Sequence, residues 1–225
     1  MIMKTSNNND LQHHTKERNQ TTNQFPNIPY SDNEMNDNVH DAEARKRVKL
    51  PVLAYGYRTI PCGWDELLDI VVHNNDLAKL SRSEEQQYNY ELYKQNLLLQ
   101  WDTMTDYVLY TKFPNVFTKM KSTEVDASEP PARRWKVHPP IESISTTHVA
   151  LVKNDFPYFL EENIEHWILW KLGGEAISDL DIENAKQDLC RNHNMLASDI
   201  IHWVNPIHLK SIPNIEHAHI LGRVK

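Results

Sequence analysis

The chain has 225 residues, and its five glycines are scattered along it. This spacing provides no glycine-rich loop, which excludes P-loop NTPases and glycine-rich dinucleotide-binding turns. Residues 1–50 carry seven basic and seven acidic side chains, so the whole net charge of −7 lies beyond them. An acidic folded part argues against broad nucleic-acid binding, although a small phosphorylated ligand stays possible.

Residues 1–47 form a polar segment in which nine of the first forty residues are asparagine. Such a composition buries too little apolar area to offset the chain entropy, so we predict a disordered tail. The basic cluster Arg45-Lys46-Arg47-Val48-Lys49 at its end is either a nuclear-import signal or an ordinary basic run. We expect residues 48–225 to form a single α+β domain.

The chain shows neither a signal peptide nor an apolar run long enough to span a membrane. Its two cysteines, Cys62 and Cys190, are too few for a disulfide framework or a thiolate zinc site. We therefore expect a cytoplasmic protein with reduced thiols.

Residues 61–120 have the spacing of helices. Apolar side chains at helical intervals predict one helix over residues 64–80. Ser83 and Gln86 are spaced as a capping box that begins a second helix. The stripe along that second helix is either core packing or a ligand cage, and it comprises Tyr90, Tyr93, Leu97 and Trp101.

Residues 121–145 are expected to form a loop, because four prolines interrupt any helix or central strand there. Arg133 and Arg134 stand between the two proline pairs. They either reach an anionic ligand or belong to a solvated loop.

Residues 146–225 are predicted to form strand, strand, helix, strand and strand. The strands are expected at residues 148–152, 164–170, 200–204 and 215–221. Ser178 is the expected N-cap of the helix between the second and third strands, with a buried stripe of Ile182, Ala185, Leu189 and Leu196. This order indicates an α+β fold with a mainly antiparallel sheet and a crossing helix.

Histidines recur on the predicted strands. Because strand side chains alternate, His217 and His219 share one face, and His166 joins them if the faces of the two strands match. Converging imidazoles have three uses: a nucleophile or ligand-binding group, a zinc, iron or copper site, or a satisfied structural core. Glu165 and Glu216 face away from the histidines, which leaves a metal without an assigned third ligand.

Four sequence blocks in fixed order resemble a known fungal family. They are Asn154-Asp155-Phe156-Pro157-Tyr158, the segment IEHWILW at 164–170, Trp203-Val204-Asn205-Pro206, and Lys210-Ser211-Ile212-Pro213 followed by His217-Ala218-His219. The chain from about Trp64 onward is similar to the N-acetylglucosamine-induced proteins, a domain family of unknown function. The resemblance implies a cytosolic protein connected with an amino-sugar response.

The alternating histidines also resemble, more distantly, the histidine-triad superfamily of nucleotide hydrolases and transferases. That resemblance implies His217 as the nucleophile and His219 as its catalytic partner. The ligand-binding residues that it implies are Asn154, His166, Asn205 and Ser211. Ile215 replaces the first histidine of the triad, so only a dyad is present.

Three functional hypotheses follow. The first is a nucleotide or nucleotide-sugar hydrolase or transferase that works through a covalent phosphohistidine at His217. The second is a non-catalytic binding or regulatory protein on the same scaffold, and the third is a histidine-ligated metal protein. The expected partner is a small nucleotide or sugar phosphate, with no resident cofactor, no membrane and no broad nucleic-acid binding.

Overall fold

The computed structural model describes residues 48–121 and 134–224. The predicted disordered tail, most of the basic cluster and Arg133 lie outside these residues. The described parts contain four α-helices, α1 Trp64–Leu67, α2 Glu84–Leu98, α3 Met104–Lys112 and α4 Asp179–Asn192. They also contain six strands, β1 Thr118–Lys121, β2 Trp135–His138, β3 His148–Lys153, β4 Ile164–Leu172, β5 Met195–Trp203 and β6 Glu216–Val224.

The prediction of one helix over residues 64–80 is wrong in its length. Helix α1 continues only as a π-helical turn, Leu68–His73, and a separate 3₁₀ turn follows at Leu77–Lys79. Between them, Asn75 adopts a φ of 51°. Asparagine tolerates this left-handed conformation, and the Asn-Asn-Asp run therefore ends the helix.

The capping box predicted for α2 is confirmed. The backbone N–H of Gln86 donates to Ser83 Oγ at 3.1 Å, and the Ser83 N–H donates to Gln86 Oε1 at 3.0 Å. Helix α3 begins in the same manner at Thr103, whose hydroxyl accepts from the Asp106 N–H. These caps satisfy backbone donors that the first turn of a helix leaves unpaired.

The loop predicted over residues 121–145 contains a strand. Strand β2 pairs antiparallel with β1 in a separate two-stranded sheet. The strand ends just before Pro139, and the backbone N–H of Val137 donates to Asp106 Oδ1 at 3.0 Å. Prolines exclude a central strand, but they permit a short one that lies between them.

The main sheet has the strand order β3-β4-β6-β5, and all its pairs are antiparallel. The expected α+β fold is therefore confirmed, with α4 as the helix between the second and third strands. The placement of Leu196 in the buried helical stripe is wrong. Asn194, at a φ of 54°, ends the helical segment, so Leu196 lies on β5 and is 44% exposed.

The two faces of the main sheet bury different parts of the chain. Helix α4 packs on one face against side chains such as Leu169 and Ile220. The segments that precede β3 cover the other face in two hydrophobic clusters. The predicted histidines lie on that second face, beneath the front helices.

Candidate functional site

Strand register brings the three histidine side chains together. Ile168 of β4 lies opposite His219 of β6, and Trp170 lies opposite His217. Directly opposed residues in an antiparallel pair share a face, so His166 lies on the same face, one pair further along β4. The faces of the two strands therefore match, and the three imidazoles lie on the same side of the sheet.

His166 and His219 are in direct contact. His166 Nε2 lies 2.9 Å from His219 Nδ1, which is a hydrogen-bond distance. The exposed fractions of the two residues are 2% and 8%. The Tyr158 ring stacks on His166 with centroids 5.0 Å apart, and the Trp203 ring stacks on His219 at 5.1 Å.

An asparagine closes each end of this histidine pair. At one end, Asn205 Nδ2 donates to His219 Nε2 at 2.9 Å, while Asn205 Oδ1 accepts from Trp203 Nε1 at 2.9 Å. At the other end, Asn154 Nδ2 lies 3.2 Å from His166 Nδ1. The Phe156 N–H donates to Asn154 Oδ1 at 3.0 Å.

Both amides thus direct N–H groups at the histidine pair. The protons on the two imidazoles cannot then give one donor and one acceptor at every contact. Two neutral imidazoles carry two protons on four nitrogens. Only one proton fits between the rings, so the second lies at an outer nitrogen and faces an amide N–H. We place this mismatch at Asn154, because its contact is the longer of the two.

Burial keeps these imidazoles neutral. It lowers the pKa of His166 well below its usual value, and the neighbouring His219 and Arg82 lower it further. Burial, together with the charges of neighbouring basic groups, lowers the pKa of His219 to about 3. A charged imidazole loses its hydration in such a site, and this favours the neutral ring.

His217 stands apart from the hydrogen-bonded pair. Its ring centroid is 5.6 Å from that of His219, and its Nδ1 lies 2.8 Å from the carbonyl oxygen of Ile215. A carbonyl only accepts, so Nδ1 carries the proton and Nε2 keeps its lone pair. Burial lowers the pKa of His217, which favours the same neutral ring.

A cavity of about 540 Å³ lies beside these histidines. Its walls come from α2, α3, β3, β4, β6 and their flanking segments, and they include His217 and His219. The tyrosines Tyr90 and Tyr93 from the predicted stripe are half-buried in its wall, whereas Leu97 and Trp101 belong to the core. The stripe therefore serves both packing and the cavity.

The charges of the cavity wall favour an anion. Five cationic and two anionic side chains line it. Four of the cations are lysines, and each is paired with a carboxylate. The fifth is Arg82, which has no carboxylate within ion-pair distance among residues 48–121 and 134–224.

The Arg82 guanidinium is held in a fixed orientation. Its Nη2 donates to the carbonyl of Phe156 at 2.7 Å, its Nε donates to the same oxygen at 3.2 Å, and its Nη1 donates to Gln87 Oε1 at 3.1 Å. The group also lies over the Tyr90 ring, 4.3 Å from its centroid. These bonds use three of its five N–H groups and leave two for a ligand.

The remaining sequence-predicted site residues divide into those near the cavity and those away from it. Asn154, Asn205 and Ser211 line it, although Ser211 is exposed and no hydrogen bond of its side chain is recorded in the described residues. Glu165 and Glu216 lie outside the cavity wall, although their ion-pair partners Lys153 and Lys210 belong to it.

The sequence did not reveal Arg82. It stands alone between two serines at the start of α2, where no motif marks it. Trp170 and Trp203 were also missed as neighbours of the histidines, because their positions depend on pairings between distant strands.

The described residues contain no group of three or more His, Cys, Asp or Glu side chains placed to hold a metal ion. In the same ranges, no helix is both long enough and apolar enough to cross a bilayer.

Comparisons with known proteins identify relatives of this chain, but the names of these relatives do not indicate a catalysed reaction. Residues 63–223 match a family described as a protein of unknown function, DUF3605. N-acetylglucosamine-induced protein 1 of Candida albicans is 24% identical over 179 residues, which cover 72% of this chain and 68% of that protein. A crystal structure of HTC1 aligns with a TM-score of 0.43 and 22% identity, over 76% of this chain and 86% of that one.

Proposed function

The chain belongs to the DUF3605 family of proteins of unknown function, and we propose that it binds a small phosphorylated sugar in the cavity beside its histidines. The predicted resemblance to the N-acetylglucosamine-induced family is confirmed by this match and by the Candida albicans relative. That relative is named for induction by N-acetylglucosamine, so amino-sugar phosphates are the first ligands to test. We place this binding in the cytoplasm.

The observation that carries the proposal is a cavity arginine, Arg82, with no acidic partner in the part of the chain that the structure describes. Phe156 and Gln87 orient Arg82, and two of its N–H groups have no partner within residues 48–121 and 134–224. These two groups match two oxygens of a phosphate. The cavity volume of about 540 Å³ lies in the range of small-molecule sites. Its half-buried tyrosines provide apolar surface for a sugar ring or, in a nucleotide sugar, a base.

The arrangement supports binding better than phosphoryl transfer. Of the three histidines on this sheet face, only His217 has a ring nitrogen, Nε2, without a hydrogen bond in the described residues. Its predicted partner His219 is engaged on both nitrogens by His166 and Asn205. The predicted dyad therefore has no free second imidazole among the described residues to protonate a leaving group, and the other imidazole of the cavity wall is the exposed His208.

Thermal unfolding of the full chain tests the proposal. The panel is N-acetylglucosamine 6-phosphate, N-acetylglucosamine 1-phosphate, UDP-N-acetylglucosamine and unphosphorylated N-acetylglucosamine. A bound member at about a hundred times its Kd raises the Tm by roughly 5 to 10 °C. Unphosphorylated sugar is expected to have little effect.

Matched arginine variants locate the phosphate. Arg82→Gln weakens binding by roughly 10- to 100-fold, because hydrogen bonds from a charged donor are lost. Arg223→Gln is the control, since Arg223 pairs with Asp199 away from the cavity. Ligand recovered intact after incubation supports binding, whereas a cleaved phosphate ester indicates a hydrolase. A flat Tm across the panel contradicts the proposal.

A further inference from the structure

Trp170 and His217 form a neighbouring pair in the cavity wall. They lie opposite each other on β4 and β6, and their ring centroids are 4.8 Å apart. The exposed fractions are 7% for Trp170 and 4% for His217, and both residues line the cavity.

Each ring carries a hydrogen-bonding atom that has no partner among the described residues. Trp170 Nε1 is buried, and within the described part of the chain it has no hydrogen-bond partner. Only Nδ1 of His217 is bonded in those residues, to the carbonyl of Ile215. The pair therefore presents one donor, the indole N–H, and one acceptor, the imidazole Nε2.

Buried polar atoms without partners are rare and costly, which suggests that a ligand completes them. A hydroxyl group matches both atoms chemically, since it can accept from the indole N–H and donate to the imidazole nitrogen. A carbonyl or a phosphate dianion cannot donate, and an ammonium group cannot accept. We propose that Trp170 and His217 form a subsite that recognises one hydroxyl of a sugar ring.

This inference rests on the proposed function, and it assigns two parts of the ligand to two groups of residues. The phosphate contacts Arg82, and a ring hydroxyl contacts Trp170 and His217. The substrate class is therefore a polyhydroxylated sugar phosphate. Binding at His217 Nε2 also leaves this nitrogen unavailable as a nucleophile.

Trp170→Phe tests the subsite, because it removes the indole N–H and keeps an aromatic ring. Without ligand, the smaller ring leaves a gap in the core and lowers the Tm. The Tm of the free variant therefore shows only the temperature range in which it is folded, and ligand affinity measured in that range tests the subsite. Trp64→Phe is the matched control, because Trp64 is similarly buried, at 8% exposed, but lies outside the cavity wall.

Titration calorimetry then compares glucose 6-phosphate with each of its monodeoxy analogues. For the fully hydroxylated sugar, Trp170→Phe weakens binding about tenfold, as expected for one hydrogen bond. For the analogue that lacks the recognised hydroxyl, wild type and variant bind equally. Equal loss with every analogue, or no loss with any sugar, would overturn the subsite.

The failure of this inference is distinguishable from that of the proposed function. Inorganic phosphate reports on Arg82 alone, so its affinity falls in Arg82→Gln and stays unchanged in Trp170→Phe. If sugar phosphates bind and Trp170→Phe has no effect, only the subsite is wrong. If neither sugar phosphates nor inorganic phosphate bind the wild type, the proposed function fails and the subsite fails with it.

Discussion

At the scale of single residues, the donors and acceptors of the histidine pair between Asn154 and Asn205 lead to a direct prediction. Asn154→Asp replaces an amide whose N–H group faces the proton of His166 with a carboxylate that accepts from it. The Phe156 N–H keeps its acceptor, and every contact along the histidine pair then joins one donor to one acceptor. We expect Asn154→Asp at pH 7 to unfold at or above the wild-type Tm.

Asn154→Ala serves as the comparison, and we expect it to lose about 1 kcal/mol because it removes the amide without replacing it. The gain from aspartate over alanine depends on the His166 ring. In a His166→Phe background aspartate keeps only the bond from the Phe156 N–H, so its advantage over alanine should become smaller. If Asn154→Asp is as unstable as Asn154→Ala in the wild-type background, the proposed mismatch is wrong.

The buried imidazoles also predict loss of stability in acid. His219 has a folded pKa of about 3, whereas an unfolded histidine titrates near 6.5. Between these values the unfolded state binds more protons, so the free energy of unfolding falls as the pH drops. From pH 7 to pH 5, His219 alone accounts for about 2 kcal/mol of this loss.

Urea unfolding at several pH values measures this slope. We expect His219→Gln to be less stable at pH 7 but to lose less stability between pH 6.5 and pH 5 than the wild type. His73→Gln is the control, because His73 is exposed on the π-helical turn. Parallel stability profiles for His219→Gln and the wild type would show that His219 is not the source of the slope.

At the scale of elements, the start of β5 depends on a contact with β6. The register shifts between Met195 and Ile200, and the Met195 side chain lies where a Cβ on Gly222 would stand. Gly222→Ala is therefore expected to destabilise the protein by about 1–3 kcal/mol through overpacking. Chemical denaturation measures this loss.

Met195→Ala removes the obstructing thioether and provides the partner for a double-mutant cycle. Alone, it costs about 2–5 kcal/mol, because Met195 is buried. Combined with Gly222→Ala, the total loss should be smaller than the sum by about 1 kcal/mol or more. Strict additivity would mean that Met195 does not limit the side chain at position 222.

The sequence predicts the position and bounds of some helices and strands better than those of others. Helices α2 and α4 carry capping boxes, and the main strands have strong apolar patterns, so local chemistry predicts them. The early start of β5 depends on Asn194 and on a bulge against β6, which no local pattern contains. His217 and His219 were predicted to share a face, with His166 joining them only if the faces of the two strands matched. The register of β4 against β6 decides this match and sets the contacts.

At the scale of the whole molecule, one sheet separates two hydrophobic layers. Leu189 of α4 is fully buried on one face. Cys62 is 1% exposed in a cluster on the other face, and burial raises the pKa of its thiol to about 12. A buried thiol of this kind reacts only when the structure opens, so its labelling rate reports on that opening.

We expect the two layers to unfold together. Leu189→Ala should lower the free energy of unfolding by about 2–5 kcal/mol, and labelling of Cys62 should accelerate by the corresponding factor, roughly 30-fold or more. A Cys190→Ser background leaves Cys62 as the only thiol, and iodoacetamide labelling followed by mass spectrometry measures the rate. Leu180→Ala on the same helix is the control, since Leu180 is 69% exposed. If Leu189→Ala destabilises the protein without changing the Cys62 rate, the front layer opens independently of α4.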